Sequence, residues 1–198
     1  MLYGIFFSLL LGLGLGMLAL DQSHRDFIEV ITTISLTIMV FCAGVAIGET
    51  EDLLLKLKKN FVVLLIVPTA CVLGSIVAAI VAAGLLHLPV RDMLIVTCSL
   101  GWYSLATIVV TKLHSVELGT IAFLSNFIRE FASFFVIPLI VRCFRNKLLC
   151  IPTSGAATMD SLLPIIIQLT NPAVGVVAFV NGVILSILVP IFLQILLN

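Results

Sequence analysis

Charged side chains are scarce in this sequence of 198 residues. Lysine and arginine together number 10, aspartate and glutamate also number 10, and 62% of the residues are hydrophobic. A soluble domain usually carries about 25% charged residues, so these few charges cannot cover a folded chain with a water-facing surface. The composition therefore indicates a membrane protein embedded in a lipid bilayer. The absence of a basic excess excludes a nucleic-acid-binding protein.

Cysteine pairs, cysteine–histidine clusters and protease-like constellations are missing as well. The five cysteines form no C-x-x-C pair, and the three histidines lie at the ends of apolar segments. We therefore expect no metal site, no disulfide framework and no cofactor. An intramembrane protease needs a buried histidine or two membrane aspartates, and only Asp160 lies within an apolar segment. We expect no enzymatic activity.

The sequence does contain a series of apolar segments separated by short charged linkers. A bilayer core about 30 Å thick requires about 20 apolar helical residues. The N-terminus has neither a basic leader region nor a convincing cleavage site, so the first segment is interpreted as a retained span. The segments are Leu2–Leu20, Phe27–Gly48, Phe61–Leu86, Met93–Thr111, Leu118–Val141, Gly155–Leu169 and Pro172–Asn198. They predict an all-α polytopic membrane protein, a single transport domain over residues 1–198, with about five transmembrane helices plus two broken or re-entrant segments.

Two segments are interrupted by residues that disfavour a simple span. Met93–Thr111 contains the polar stretch 99–104, whereas Gly155–Leu169 is short and contains Asp160 and Pro164. Non-helical backbone at membrane depth requires surrounding protein or a water-filled cavity, and paired broken segments are typical of secondary transporter sites. Both segments are predicted to be re-entrant hairpins. The alternative is that both are ordinary kinked spans.

The basic loops favour the re-entrant interpretation. Residues 56–59 and 142–147 form the two strongly basic loops, and short basic loops stay in the cytoplasm. Three segments separate them, so both loops are inside only if one segment enters and returns. Met93–Thr111 is the candidate, which leaves Leu118–Val141 running from outside to inside. If every segment crossed, the positive-inside rule would fail at one loop.

An ionisable pair lies at the centre of Leu118–Val141. A charge at the bilayer midplane costs at least about 2.5–3.5 kcal/mol, so Arg129 and Glu130 are candidates for a functional site. At about 100° per residue, the polar side chains of this helix occupy an arc of about 140°, which predicts one polar stripe facing a cavity. The stripe consists of Ser125, Asn126, Arg129, Glu130 and Ser133. The alternative is that the two charges only fix helix packing.

Asp160 is the second candidate, and it is the last charged residue of the chain. Small residues precede it, which allows close backbone approach, and Pro164 removes a helical hydrogen bond nearby. As an alternative, Asp160 caps the start of a helix, where a carboxylate accepts hydrogen bonds from free N–H groups. The two roles are compatible.

Four motifs in order make the sequence similar to a known family. They are Gly101-Trp102-Tyr103-Ser104; Ala122-Phe123 through Asn126 to Arg129-Glu130; Gly155-Ala156 through Thr158 to Met159-Asp160 and Leu163-Pro164; and Gly182 with Ile184-Leu185-Ser186 and Leu188-Val189-Pro190-Ile191. On these motifs the chain resembles the LysO family of bacterial lysine exporters over nearly its whole length. The resemblance implies a plasma-membrane exporter of L-lysine and toxic lysine analogues, with essential intramembrane acidic residues at Glu130 and Asp160.

The chain departs from the family pattern at its N-terminus. Full-length members carry roughly three further apolar segments, and the resemblance implies eight crossings with both termini outside. The crossings predicted here agree with that number if three are supplied separately. The chain is then expected to be the larger piece of a split exporter, which functions with a small three-span membrane subunit or as a homo-oligomer. The alternative is that the chain is a minimal version of the exporter.

The candidate residues predict secondary-active export of L-lysine by proton antiport. Glu130 and Asp160 are expected to hold the two ammonium groups and exchange them for protons, because a carboxyl group removed from water takes up a proton more readily. The tips of the two hairpins should meet near the membrane centre, beside Glu130. Trp102, Tyr103 and Ser104 would line one side of a cavity, with Thr158, Met159 and Asp160 on the other. The groups expected to bind the lysine carboxylate are Arg129, Asn126 and the backbone N–H groups near Ser104 and Thr158.

Two other functions fit the same residues. In the first, the chain is a cation/proton antiporter or channel-like conduit whose carboxylates handle Na⁺ or H⁺ only, so ion flux would be indifferent to lysine. In the second, it is a non-transporting membrane scaffold whose buried charges lock helices together. Substitution of Glu130 by glutamine would then leave cellular lysine tolerance unchanged.

Overall fold

The computed structural model describes residues 25–49 and 61–197, together with the isolated residues 7, 11, 12 and 14. Apart from those isolated positions, the predicted span Leu2–Leu20 lies outside the described residues, as does the basic loop 56–59. The helices are α1 (Arg25–Gly48), α2 (Phe61–Leu86), α3 (Val90–Thr97), α4 (Tyr103–Leu113), α5 (Val116–Cys143), α6 (Leu163–Leu169) and α7 (Pro172–Leu197), and 3₁₀ turns cover Lys147–Cys150 and Gly155–Met159. The described part contains no strand, which confirms the predicted all-α fold.

Within the described residues, three helices are long and apolar enough to cross a membrane, namely α2, α5 and α7. Their outer surfaces are apolar. On α2, the side chains of Val62, Ile66, Leu73 and Val77 are each more than half exposed. A soluble protein rarely exposes so extended an apolar face, whereas lipid chains cover it readily. These helices confirm a polytopic membrane fold.

The interrupted segment Met93–Thr111 folds back on itself. α3 ends at Thr97 and α4 begins at Tyr103. The Nε2 atom of His114, just after α4, lies 3.5 Å from the Oδ1 atom of Asp92 at the start of α3. Had the chain continued in one direction, these groups would be about 30 Å apart. The re-entrant prediction is therefore confirmed for this segment, and the kinked-span alternative is wrong.

The segment Gly155–Leu169 enters and leaves at the opposite end of the molecule. α7 ends beside the mouth of the first hairpin, where Arg91 Nε donates a hydrogen bond to the Leu196 carbonyl (2.6 Å). α5 begins at the same mouth, directly after His114. Because α5 and α7 are each about 40 Å long, the end of α5 and the start of α7 both lie far from that mouth. The chain between them is a second re-entrant hairpin, as predicted.

Each hairpin packs into its own cluster of buried apolar side chains. The first cluster surrounds α3 and α4, and the second surrounds α6 and the 3₁₀ turns, while α2, α5 and α7 contribute to both. Fully buried members of the first are Ile95, Val110, Ala122 and Leu193, and those of the second are Ile137, Leu162, Ile166 and Ala178. Between the two clusters lies a layer of buried polar side chains that includes Asn126, Thr158 and Asn181. The hairpin tips meet in this layer.

The contact between the tips is made by backbone atoms. The N–H of Ala156 in the second tip donates a hydrogen bond to the carbonyl of Leu100 in the first (2.7 Å). Gly101 (φ +96°) and Gly155 (φ +63°) adopt left-handed conformations there, and a Cβ atom on Gly155 would overlap the Leu100 carbonyl. Glycine permits both the conformation and the close approach. The predicted meeting of the two tips is confirmed.

Asn126 of α5 fastens the first tip to the bundle. Its Oδ1 accepts a hydrogen bond from Gly101 N (2.9 Å), and its Nδ2 donates to the carbonyls of Val96 (3.2 Å) and Ala122 (2.8 Å). We expect Asn126→Leu to lower the free energy of unfolding by about 2–4 kcal/mol, because it leaves two buried backbone groups of the tip unpaired. Thermal unfolding in detergent measures this loss.

Ser125→Ala provides the matched control for this substitution. Ser125 is the neighbouring residue of the same helix and its side chain is exposed. We expect the control to unfold within about 2 °C of the wild type, since exposed positions usually change stability little. An Asn126→Leu protein as stable as the control would contradict the fastening role.

Candidate functional site

A cavity of about 530 Å³ lies where the two hairpin tips meet α5. Six of the residues expected at the cavity from the sequence line it, namely Trp102, Tyr103, Ser104, Glu130, Met159 and Asp160. The rest of the wall comes from the tips and from one residue of α1, and consists of Thr37, Gly101, Ala156, Ala157 and Ser161. Small-molecule sites typically measure about 300–1,000 Å³, so the cavity is large enough for a metabolite.

The two carboxylates of the cavity are joined through Ser161. Its hydroxyl donates a hydrogen bond to Oε1 of Glu130 (2.5 Å), and its backbone N–H donates to Oδ1 of Asp160 (2.5 Å). Within one serine the nitrogen and the hydroxyl oxygen are at most about 3.7 Å apart, so the bonded carboxylate oxygens lie less than about 9 Å from each other. The structure thus brings two acidic residues, separated by thirty positions of sequence, into one site.

Tyr103, which lines the cavity together with the carboxylates, packs against aromatic side chains of α5. The ring of Tyr103 packs edge-to-face against Phe123, with centroids 5.4 Å apart, and against Phe127 at 6.5 Å. The two phenylalanines stack on each other on the same face of α5. Such aromatic pairs contribute more to stability than the burial of their apolar surface alone, so they hold Tyr103 in place beside the cavity. The adjacent Trp102 is the single tryptophan of the chain.

The first turn of α4 presents hydrogen-bond donors to the cavity. The first helical bond runs from Ala106 N to the Trp102 carbonyl (3.1 Å), and Trp102 makes no side-chain cap. The N–H groups of Tyr103 and Ser104 therefore have no acceptor within the helix, and this helix end carries a partial positive charge. The cavity lining combines carboxylate acceptors with backbone N–H donors, which suits a zwitterionic ligand.

Three residues expected at the substrate do not line this cavity. Arg129 and Asn126 line a second cavity, of about 420 Å³, and Asn126 directs its side-chain hydrogen bonds to the backbone. Thr158 is buried and accepts a hydrogen bond from Asn181 Nδ2 (3.0 Å). The expectation of one cavity facing the whole polar stripe of α5 was wrong. The tips pack against the middle of the stripe, so Glu130 faces one cavity and Arg129 the other.

Two residues near the site were not predicted from the sequence. Ser161 links the carboxylates, and its position next to Asp160 was the only signal for it. Asn181 is fully buried and donates to the Gly155 carbonyl (3.3 Å) as well as to Thr158, so it supports the second tip. The sequence did contain a signal for Asn181, because its amide side chain lies in the middle of the otherwise apolar segment 172–198.

Comparison with known proteins identifies the family. A family model described as lysine exporter LysO matches residues 6–197, which is nearly the whole chain. The chain belongs to the LysO family. The match confirms the resemblance carried by the four motifs, and with the apolar helices it makes this LysO-family chain a multi-pass protein of the plasma membrane. The family is one of transporters.

Two relatives of this LysO-family chain carry similar names. "Lysine exporter LysO" of Escherichia coli (strain K12) is 28% identical over 181 residues, which cover 88% of this chain and 58% of that protein. "Putative lysine exporter" of Haemophilus influenzae is 28% identical over 186 residues, which cover 94% of this chain and 93% of that protein. The chain thus spans little more than half the length of the E. coli relative. No solved structure gives a significant match.

Proposed function

We propose that the chain exports L-lysine and close lysine analogues across the plasma membrane in exchange for protons. The observation that carries the proposal is the pair Glu130 and Asp160, held less than about 9 Å apart in a cavity where two re-entrant tips meet. The names of both relatives describe lysine exporters, which supports the substrate. Residues 1–198 act in this proposal as one transport domain.

The two carboxylates match the two ammonium groups of lysine. The nitrogen atoms of an extended lysine are about 7 Å apart by covalent geometry, which is compatible with carboxylate oxygens less than about 9 Å apart at Glu130 and Asp160. Hydrogen bonds from an ammonium group to a carboxylate are about twice as strong as neutral ones. Each ammonium group therefore binds one carboxylate in the proposed complex, and an amino acid with only one ammonium group leaves the second carboxylate unpaired.

The free N–H groups at the start of α4 bind the lysine carboxylate. Arg129 and Asn126 line the other cavity, so Tyr103 N and Ser104 N are the donors left on this wall. A carboxylate at a helix N-terminus is favoured by the partial positive charge there. The rings of Trp102 and Tyr103 cover the aliphatic chain of lysine and attract its cationic end.

Proton exchange follows from the charge of the empty site. Two ionised carboxylates this close repel each other, so the empty site holds a proton on one of them. Lysine brings two positive charges to the pair and releases that proton. When lysine leaves on the other side of the membrane, a proton from that side replaces it. Export of lysine is thereby coupled to proton entry.

The matched region covers only 58% of the E. coli relative, so a partner is proposed to supply the remainder of the transporter. We propose that the chain functions within the lipid bilayer together with a small three-span membrane subunit, or as a homo-oligomer. Purification in a mild detergent followed by native mass spectrometry distinguishes the two assemblies by mass.

Lysine counterflow in proteoliposomes tests the proposal. The chain, alone and with any co-purified subunit, is reconstituted into vesicles loaded with unlabelled lysine, and labelled lysine is added outside. We expect transient accumulation of label, and lysine movement driven by an imposed pH gradient in vesicles that start without lysine. Labelled lysine that never enters would overturn the proposal. Proton or sodium flux indifferent to lysine would replace it with the ion antiporter.

A further inference from the structure

Ser161 holds the two carboxylates of the cavity with two different parts of one residue. Its backbone N–H donates a hydrogen bond to Oδ1 of Asp160, and its side-chain hydroxyl donates to Oε1 of Glu130, each at 2.5 Å. Substitution of Ser161 removes only the second of these bonds, because every residue except proline has a backbone N–H. A mutation therefore isolates what the hydroxyl contributes through Glu130.

The position of Ser161 is fixed by its neighbours in the second tip. The N–H of Leu162 donates a hydrogen bond to the Ala157 carbonyl (3.1 Å), and the N–H of Leu163 donates to the Asp160 carbonyl (3.2 Å). The side chains of both leucines are buried in the second apolar cluster. Since the backbone after Ser161 is hydrogen-bonded and anchored by buried side chains, the Ser161 hydroxyl is a donor at a fixed place.

The orientation of the Glu130 carboxylate depends on this donor. The side chain of Glu130 has several rotatable bonds, and among the residues that the structure describes only the Ser161 hydroxyl donates a hydrogen bond to its carboxylate. An ionised carboxylate accepts about four hydrogen bonds, so the bond from Ser161 leaves room for an ammonium group. Without the hydroxyl, the glutamate is free to adopt other rotamers, and this freedom is lost again when a ligand binds.

We propose that Ser161 is a positioning residue that determines which length of diamino acid the site accepts, by fixing the Glu130 carboxylate relative to that of Asp160. The inference rests on the proposed function, because it requires a cargo whose two ammonium groups each bind one carboxylate. A fixed gap rejects a cargo that is too short, since bond lengths limit its reach, whereas a longer flexible chain bends to fit. Ornithine, which is one methylene group shorter than lysine, is the cargo that is rejected.

Counterflow of labelled lysine and labelled ornithine in proteoliposomes tests this role. We expect the wild type to have a kcat/KM at least about 10-fold higher for lysine, because a missing methylene group changes discrimination by about 10–200-fold. In Ser161→Ala the glutamate moves to meet the shorter cargo, so the preference is expected to fall below about threefold. The KM for lysine is expected to rise about 3–10-fold at a similar maximal rate, because binding must then order the glutamate side chain.

Ser161→Thr and Ser186→Ala are the matched controls. Threonine keeps both the hydroxyl and the backbone N–H, so we expect Ser161→Thr to retain the preference for lysine. The Ser186 hydroxyl donates to the sulfur of Met159 in the same tip (3.6 Å) rather than to a carboxylate. Ser186→Ala thus removes a comparable hydroxyl and is expected to keep the preference. Equal losses of preference in the two alanine variants would contradict a specific role for Ser161.

Ser161→Cys keeps the test decisive if the alanine variant does not fold. A thiol has a similar shape but is only a weak donor, so the preference for lysine is expected to fall in this variant as well. A folded variant without the hydroxyl that prefers lysine as strongly as the wild type would overturn the proposal and leave the proposed function intact. A wild type that carries lysine and ornithine equally well would do the same. If the wild type carries neither amino acid, the proposed function fails and this proposal fails with it.

Discussion

Glu130→Gln is expected to reduce lysine counterflow by at least about 100-fold while the protein still inserts and folds. The amide keeps the shape of the side chain and an oxygen for the Ser161 hydroxyl, but it removes the charge that pairs with an ammonium group. A loss of about 2.8 kcal/mol in that pairing corresponds to the expected factor. Counterflow at a fixed protein-to-lipid ratio measures it, and we expect the same result for Asp160→Asn.

Glu117→Gln is the matched control, because it makes the same substitution on the same helix. Glu117 lies in the first turn of α5, is exposed and does not line the cavity. We expect its counterflow to stay within about twofold of the wild type, since rim charges far from a site contribute little. Full activity of Glu130→Gln, or equal losses in both glutamine variants, would contradict the assigned roles.

Gly155→Ala is expected to have the largest effect on folding. Gly155 has a φ of +63°, and a Cβ atom there would overlap both the Leu100 carbonyl and the Arg129 guanidinium. The left-handed conformation costs an alanine about 1–2 kcal/mol, and overpacking adds about 1–3 kcal/mol. We expect an unfolding temperature lowered by about 4–20 °C for a chain of this size, together with a smaller monodisperse fraction in detergent.

Gly84→Ala tests whether this loss is specific to the tip. Gly84 lies within α2 and an added methyl group meets open space. Alanine is a better helix former than glycine, so we expect this variant to be as stable as the wild type or slightly more so. If Gly155→Ala unfolded at the same temperature as Gly84→Ala, the close contact between the tips would not matter for stability.

The helices themselves could be predicted closely from the sequence. The apolar run Phe61–Leu86 coincides with α2 because polar residues stand on both sides of it. The run Leu118–Val141 falls two residues short of α5 at each end, since Ser115 caps the helix by accepting a hydrogen bond from Leu118 N. Polar and small residues at 99–104 disfavoured a continuous helix, and the chain does break there.

The division of the polar stripe into two cavities could not be predicted. Helical periodicity places Asn126, Arg129 and Glu130 on one side of α5, and it says nothing about what packs against that side. The tips of both hairpins approach this surface, and Asn126 uses its side-chain hydrogen bonds to hold the first tip. A side chain on a polar stripe thus becomes a structural clamp or a ligand-binding group according to contacts made by residues distant in sequence.

The proximity of the Glu130 and Asp160 carboxylates was predicted from the sequence, but the hydrogen bonds through Ser161 that join them were not. The re-entrant topology implied that Asp160 approaches Glu130, because both were assigned to the membrane centre. The link through Ser161 depends on the irregular backbone after the 3₁₀ turn Gly155–Met159, where no sequence period applies. Irregular segments are set by tertiary hydrogen bonds rather than by local propensity.

The backbone bonds at the first tip also dictate an order of biogenesis. Leu100 and Gly101 emerge from the ribosome well before their partners, since Asn126 follows by 25 residues and Ala156 by more than fifty. Unpaired peptide groups are not tolerated in hydrocarbon. We therefore expect the nascent hairpin to stay at the aqueous surface or in the insertion machinery until α5 and the second hairpin are made. Synthesis of the second hairpin, which supplies Ala156, would then commit the first hairpin to the bilayer.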